Sequence, residues 1–208
     1  MADAALRKKP PCSLLAPQCP ADDTWIGGDW RERNAAGVDS PATAALDMAK
    51  AALFATLRTE PIDAGRISLP GLSLGGYGSW DLGVRHPEWF AAILPVCGGG
   101  DAEHAYRLLD MPLWAWHGER DRTVPPEQSQ RMIDALKQLG AKPKFTLLKG
   151  VAHDSWNDAY GKSGALDWLF DQQVAEPAMR TPGLRALSSG EAPLPPTSRI
   201  VFLGDSIT

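Results

Sequence analysis

An α/β sandwich, with a mostly parallel sheet between layers of helices, is the fold class this chain predicts. Three observations carry the prediction. Short strand-like runs alternate with helix-like stretches from residue 13 to residue 170, the order that a parallel sheet with crossover helices requires. Two of the runs, 91–96 and 113–117, are nearly continuous in apolar residues and suit strands covered on both faces. Between a third run and the helix after it stands Gly71-Leu72-Ser73-Leu74-Gly75.

Taken in order, residues 13–16 form a first short strand that ends at Pro17. Ser40-Pro41 opens a helix, a capping hydroxyl followed by proline at the first position, and Leu46, Ala49, Leu53 and Leu57 recur on one of its faces. Residues 66–69 form a strand, and a helix follows over 76–85. The strand runs 91–96 and 113–117 come next. Pro126 begins a helix carrying Met132, Leu136 and Leu139, which Gly140 stops. Residues 145–148 are the last clear strand of this series and 163–170 the last helix. In such a sheet the functional groups gather at the carboxyl ends of the strands.

The Gly-x-Ser-x-Gly string gives that edge its chemistry. A serine on a sharp strand-to-helix turn brings the two backbones so close that a Cβ at either flank would clash, so glycines flank it. The turn lifts Ser73 clear of the sheet and aims the N–H of Leu74 at the position where a carbonyl oxygen becomes negative during attack. A serine hydroxyl needs an imidazole to take its proton and a carboxylate to orient that imidazole. Of the four histidines, His86 ends a helix before Pro87, His104 lies in a polar loop, and His117 ends an apolar strand and should be packed there. His153, on a loop directly after a strand, is the candidate base. Asp121, in the loop fed by the strand at 113–117, is the candidate acid, with Glu119 and Asp154 as competitors. Near these groups in sequence stand Trp156 and Tyr160, candidate walls for a substrate, together with Trp25 in an early loop; Trp80 and Trp116 read as core.

Five ordered blocks carry a resemblance: Leu15-Ala16-Pro17-Gln18-Cys19-Pro20; residues 71–80; Pro95-Val96-Cys97-Gly98-Gly99-Gly100-Asp101; Trp116-His117-Gly118 with Asp121 and Val124-Pro125; and His153-Asp154-Ser155-Trp156 with Tyr160. Over about residues 11–170 the chain resembles the bacterial α/β-hydrolases known as predicted peptidases, a group similar to the phospholipase/carboxylesterase and feruloyl or polyhydroxybutyrate esterases. The resemblance implies esterase chemistry with Ser73 as nucleophile, Asp121 as orienting acid and His153 as base, and it implies no cofactor and no metal. Such proteins begin with further strands and a loop that supplies a second oxyanion donor, which this sequence does not display before Pro10. Substitutes are the glycines of the loop at 24–30, which otherwise simply connects, or a neighbouring chain. Pro70 departs from the pattern too, since it brings no N–H to the strand that precedes Ser73.

Composition narrows the partners. The chain has 208 residues, 44% of them hydrophobic, and a formal charge of −4, which argues against nucleic acid. No stretch is long enough to span a bilayer and no apolar segment follows Arg7-Lys8-Lys9, so the default expectation is a cytoplasmic protein without a membrane partner. Cys12, Cys19 and Cys97 lack metal-ligand spacing and read as reduced packing residues. The organisation expected is an α/β-hydrolase domain over 11–171 and a linker rich in proline, glycine and serine over 172–198. The segment 199–208, with Gly204-Asp205-Ser206, then resembles the truncated start of a GDSL-type hydrolase, with Ser206 inert for want of its base. Strand-prone residues 199–203 are also able to fill a vacant sheet position, in this chain or in a partner, and an exposed sheet edge suits a homo-oligomer. The sequence reading is thus a serine hydrolase for short-chain or aryl carboxylic esters, with a peptidase or a catalytically weak fragment as alternatives.

Overall fold

The structure, a computed structural model, describes residues 12–28, 37–174 and 199–202. Its strands are β1 (Cys12–Leu15), β2 (Ile67–Leu72), β3 (Ala92–Val96), β4 (Trp114–Gly118), β5 (Lys144–Leu148) and β6 (Arg199–Phe202). They form one sheet in the order β1-β6-β2-β3-β4-β5, and every pairing is parallel. The helices are α1 (Ala44–Thr59), α2 (Leu74–Arg85), α3 (Glu127–Gln138), α4 (Trp156–Ala159) and α5 (Ala165–Asp171). This is the α/β sandwich that the alternating pattern predicts.

Successive residues of a strand point to opposite faces, and the two cores of the molecule follow that rule. Ile93 joins Leu46, Leu53, Trp80 and Met132 in one cluster, under α1, α2 and α3. Its neighbours Ala92 and Leu94 join Ala159, Ala165 and Leu169 in the other, under α4 and α5. Burial on both faces is what makes β3 apolar at every position.

Several boundaries differ from expectation for identifiable reasons. The first helix is capped by Thr43, not Ser40, because the Thr43 hydroxyl accepts from the Leu46 N–H at 3.1 Å and Asp23 accepts from the Ala45 N–H at 2.8 Å. Helix α2 begins two residues early, directly at Leu74. Leu139, expected on the buried face of α3, is exposed because the helix ends at Gln138 and the chain turns through Gly140, whose φ is +88°.

Pro70 is accommodated by strand geometry. The Ile67 carbonyl and the Ser73 N–H both bond toward β3, to Ala91 and Val96, so alternate backbone groups of β2 face that way. Pro70 falls in the opposite set, facing β6, and the register with β6 covers only Ile67 and Ser68. Its missing N–H therefore falls beyond the described register of β2 with β6.

Strand β6 lies between β1 and β2, with Leu14 opposite Val201 and Ser68 also opposite Val201. Residues 199–202, expected either to open a separate segment or to fill a sheet position, are thus an inner strand of this sheet. Gly204, Asp205 and Ser206 lie outside the described residues, as do 175–198 of the expected linker. No helix among the described residues is long and apolar enough to cross a membrane.

Candidate active site

Three loops at the carboxyl edge of the sheet converge, and glycines let them do so. A Cβ on Gly71 would lie 2.1 Å from the Gly75 carbonyl oxygen, which is a clash no side-chain movement relieves. On Gly118 it would lie 2.0 Å from the Ala152 carbonyl oxygen, so the loops carrying Asp121 and His153 pack backbone to backbone. Ser73 stands between β2 and α2 at φ 54°, ψ −119°, a conformation that costs an L-residue of order 1–3 kcal/mol and persists where surroundings fix it. Here the fixing contacts are the Ser73 N–H donating to Val96 at 2.9 Å and the Ser73 carbonyl accepting from Tyr77 at 3.1 Å.

The side chains form one hydrogen-bonded line. Ser73 Oγ is 2.9 Å from His153 Nε2, and His153 Nδ1 is 2.7 Å from Asp121 Oδ2. The second Asp121 oxygen accepts from the backbone N–H groups of Thr123 and Val124, each at 2.9 Å. Of the competing carboxylates, Glu119 turns away to accept from the Gly150 N–H and Asp154 bonds Asn157. Of these three carboxylates, Asp121 alone reaches the imidazole.

Burial alone would raise the Asp121 pKa, but hydrogen bonds from His117, His153 and the Val124 backbone outweigh it and leave the carboxyl well below the usual range. Burial likewise pulls His153 down, yet its bonds to Asp121 and Cys97 prevail and its pKa is raised above the ordinary imidazole value. The arrangement favours a carboxylate facing an imidazole that is strongly basic and holds a proton firmly once it has taken one. Leu74 is the first residue of α2, so its N–H has no acceptor within the helix and lies beside Ser73.

Two residues near this line escape sequence reasoning. His117, packed at its strand end as expected and fully buried, also lies 3.3 Å from Asp121 Oδ2, donates through Nε2 to the Val124 carbonyl at 2.9 Å, and bonds Ser129 through Nδ1 at 2.8 Å. Its spacing four residues before Asp121 is the signal that could have found it. Cys97 is fully buried, free, and in the left-handed region at φ 41°, next to His153.

The aromatic candidates separate. Trp156 meets the His153 ring edge-on, centroids 5.3 Å apart. Tyr160 packs into the core cluster with Cys97 and Trp116, its hydroxyl buried and without a hydrogen-bond partner among the described residues. Trp25 is a correction: at 2% exposure it packs on α2, where Gly78 leaves room for it, and is a core residue instead of a wall. Trp80 and Trp116 are buried, as expected of core rings.

Residues 28–168 match the dienelactone hydrolase family. Among solved structures the chain is similar to a thermostable esterase, with 33% identity and a TM-score of 0.68 over 74% of this chain and 42% of that one. It shares its fold with the acylaminoacyl peptidase of Pyrococcus horikoshii, at 18% identity and a TM-score of 0.52, over 60% of this chain and 27% of that one. Among curated proteins it is similar to a non-reducing polyketide synthase of Emericella nidulans, 26% identical over an alignment 202 positions long that covers 74% of this chain and 8% of the synthase. An alignment 65 positions long, covering 29% of this chain and 3% of the relative, is 37% identical to a non-reducing polyketide synthase of Preussia isomera. The chain therefore spans less than half the length of the solved esterase and a small part of each synthase.

Proposed function

This chain belongs to the dienelactone hydrolase family, and on that premise we propose that it cleaves carboxylic esters through an acyl-enzyme formed on Ser73. The observation that carries the reading is the continuous line from Ser73 Oγ through His153 to Asp121. Ser73 Oγ attacks the ester carbonyl while His153 Nε2 takes its proton, and Asp121 stabilises the imidazolium that forms. The oxyanion develops beside the Leu74 N–H. His153 then returns the proton to the departing alkoxide, and water repeats the sequence to release the acid and free Ser73.

Esters are favoured over amides because an alkoxide or phenoxide leaves more readily than an amine, whose departure requires well-placed protonation. The edge of Trp156 beside His153 supports a preference for short acyl or aryl groups. Hydrolysis of p-nitrophenyl acetate and butyrate by the wild type and by Ser73→Ala, beside a peptide p-nitroanilide, tests the reading. Loss of the nucleophile is expected to lower kcat on the esters by about 10⁴-fold or more. Equal rates in the two proteins would overturn it, and peptide cleavage without ester cleavage would replace it with the peptidase reading.

A further inference from the structure

Asp121, His153 and Cys97 come from three different loops, and one ligand atom from each lies within 4.8 Å of the other two. The sequence hides this, because the three residues have no common spacing. Thiol sulfur, imidazole nitrogen and carboxylate oxygen form a donor set that suits zinc, whose bonds to them run to about 2.0–2.3 Å. Atoms that close together converge on such an ion with small side-chain shifts. The Cys97 and Asp121 side chains are closed to solvent, whereas His153 is 22% exposed, so an ion arrives over the imidazole and keeps its remaining coordination position on the substrate side.

We propose that Cys97, Asp121 and His153 form a zinc site that shuts the esterase off. The inhibition rests on the function proposed for Ser73 and follows from the atoms involved. Both ring nitrogens of His153 are already committed, Nδ1 to Asp121 and Nε2 to Ser73. Whichever one the metal takes, the proton path from Ser73 to His153 to Asp121 is broken. Binding also converts the Cys97 thiol to a thiolate, releasing its proton to solvent, since sulfur coordinates zinc as S⁻. Cys97 supplies the soft ligand; without it, an imidazole and a carboxylate that already bond one another make a poor zinc site.

The experiment uses the full chain stripped with a chelator and then titrated with zinc chloride, for the wild type, Cys97→Ala and Cys97→Ser. Each protein's p-nitrophenyl acetate hydrolysis is referred to its own metal-free rate. The wild type is expected to lose at least about 90% of its rate, and the zinc concentration for half inhibition is expected to rise about tenfold or more in both variants. Cobalt(II) gives a second reading independent of turnover: a thiolate-to-cobalt absorption band in the near ultraviolet, present in the wild type and in Ser73→Ala and absent from Cys97→Ala. Cobalt titration of Ser73→Ala thus tests the metal site even if the esterase reading fails. Equal zinc sensitivity of wild type and both variants, or cobalt binding without a thiolate band, would overturn the proposal.

Discussion

Strands β2 to β5 enter the sheet in the order in which the chain makes them, whereas β1 and β6 are paired from residues 12–15 and 199–202. The first group is consecutive and β2 and β3 are almost wholly buried. The second closes a long loop, and β1 has no sheet partner other than β6 among the described residues. Its burial alternates between half-buried and exposed, with Leu14 standing 61% open. Consecutive strands joined by helices need only contacts close in sequence, while the β1–β6 pairing carries the larger chain-entropy cost. The proposed chemistry follows the same division: Ser73, Asp121 and His153 all stand on loops of the β2–β5 half.

The largest expected effect tests whether that half is sufficient for chemistry. Asp121→Asn keeps the size of the side chain but removes the charge that faces His153 Nδ1, and kcat on p-nitrophenyl acetate is expected to fall about 10⁴-fold with the unfolding transition still cooperative. A loss below about tenfold would mean that Glu119 or another group orients the base.

Next in size are paired stability measurements that compare the halves. Leu69 is buried on β2, and Leu69→Ala is expected to cost about 2–5 kcal/mol in urea unfolding. Val201→Pro removes one backbone N–H from β6, a strand with neighbours on both sides, and leaves an acceptor unpaired, at about 1–3 kcal/mol. The comparison breaks if Val201→Pro leaves stability unchanged, since β6 would then contribute nothing to the sheet.

What the sequence made legible follows the same line. Runs such as 91–96 declare themselves because burial on both faces leaves no polar position, and Ser73 declares itself through the glycines its turn demands. Asp121 and His153 are legible as loop residues after strands. Cys97 is not, because what matters about it is a distance to His153 set by two separate loops. Trp25 misleads for the opposite reason: a tryptophan in a glycine-bearing loop reads as a rim, but Gly78 on α2 opens a slot that buries it. The place of β6 depends on a pairing across the whole chain, which local pattern leaves open between a sheet strand and the start of another segment.

A smaller effect concerns pH. The His153 pKa is raised above the ordinary imidazole value of 6.5 and the Asp121 pKa is lowered below the ordinary carboxyl value of 3.8. The raised imidazole contributes stability that is full below 6.5 and lost as pH rises through its folded pKa. The lowered carboxyl contributes stability that is present above 3.8 and lost as pH falls through its folded pKa. Stability should therefore be greatest between these limits, and Asp121→Asn should flatten both flanks. Catalysis runs the other way at the upper group, because the base must be neutral: kcat/KM, measured with chelator present, should rise with pH through a limb above 6.5. A limb at or below that value would mean that Asp121 does not stabilise the imidazolium.

The smallest expected effect completes the comparison between the halves. Leu14, on the outer strand, leaves most of its surface in water, so Leu14→Ala removes little buried area and should change stability by less than about 0.5 kcal/mol. Its counterpart Leu69 is nearly closed to solvent in the twin core, and the two substitutions delete the same atoms. The difference between them therefore isolates burial from side-chain chemistry. If Leu14→Ala cost as much as Leu69→Ala, the outer strand would have to be covered in solution by something that buries it. A second copy of the chain paired edge to edge on β1 would do so, and sedimentation of wild type and variant would reveal it as a shift from dimer toward monomer. If the cost stays small, Leu14 faces water and β1 is held, among the described residues, by its backbone ladder to β6 and by Leu15 against the core.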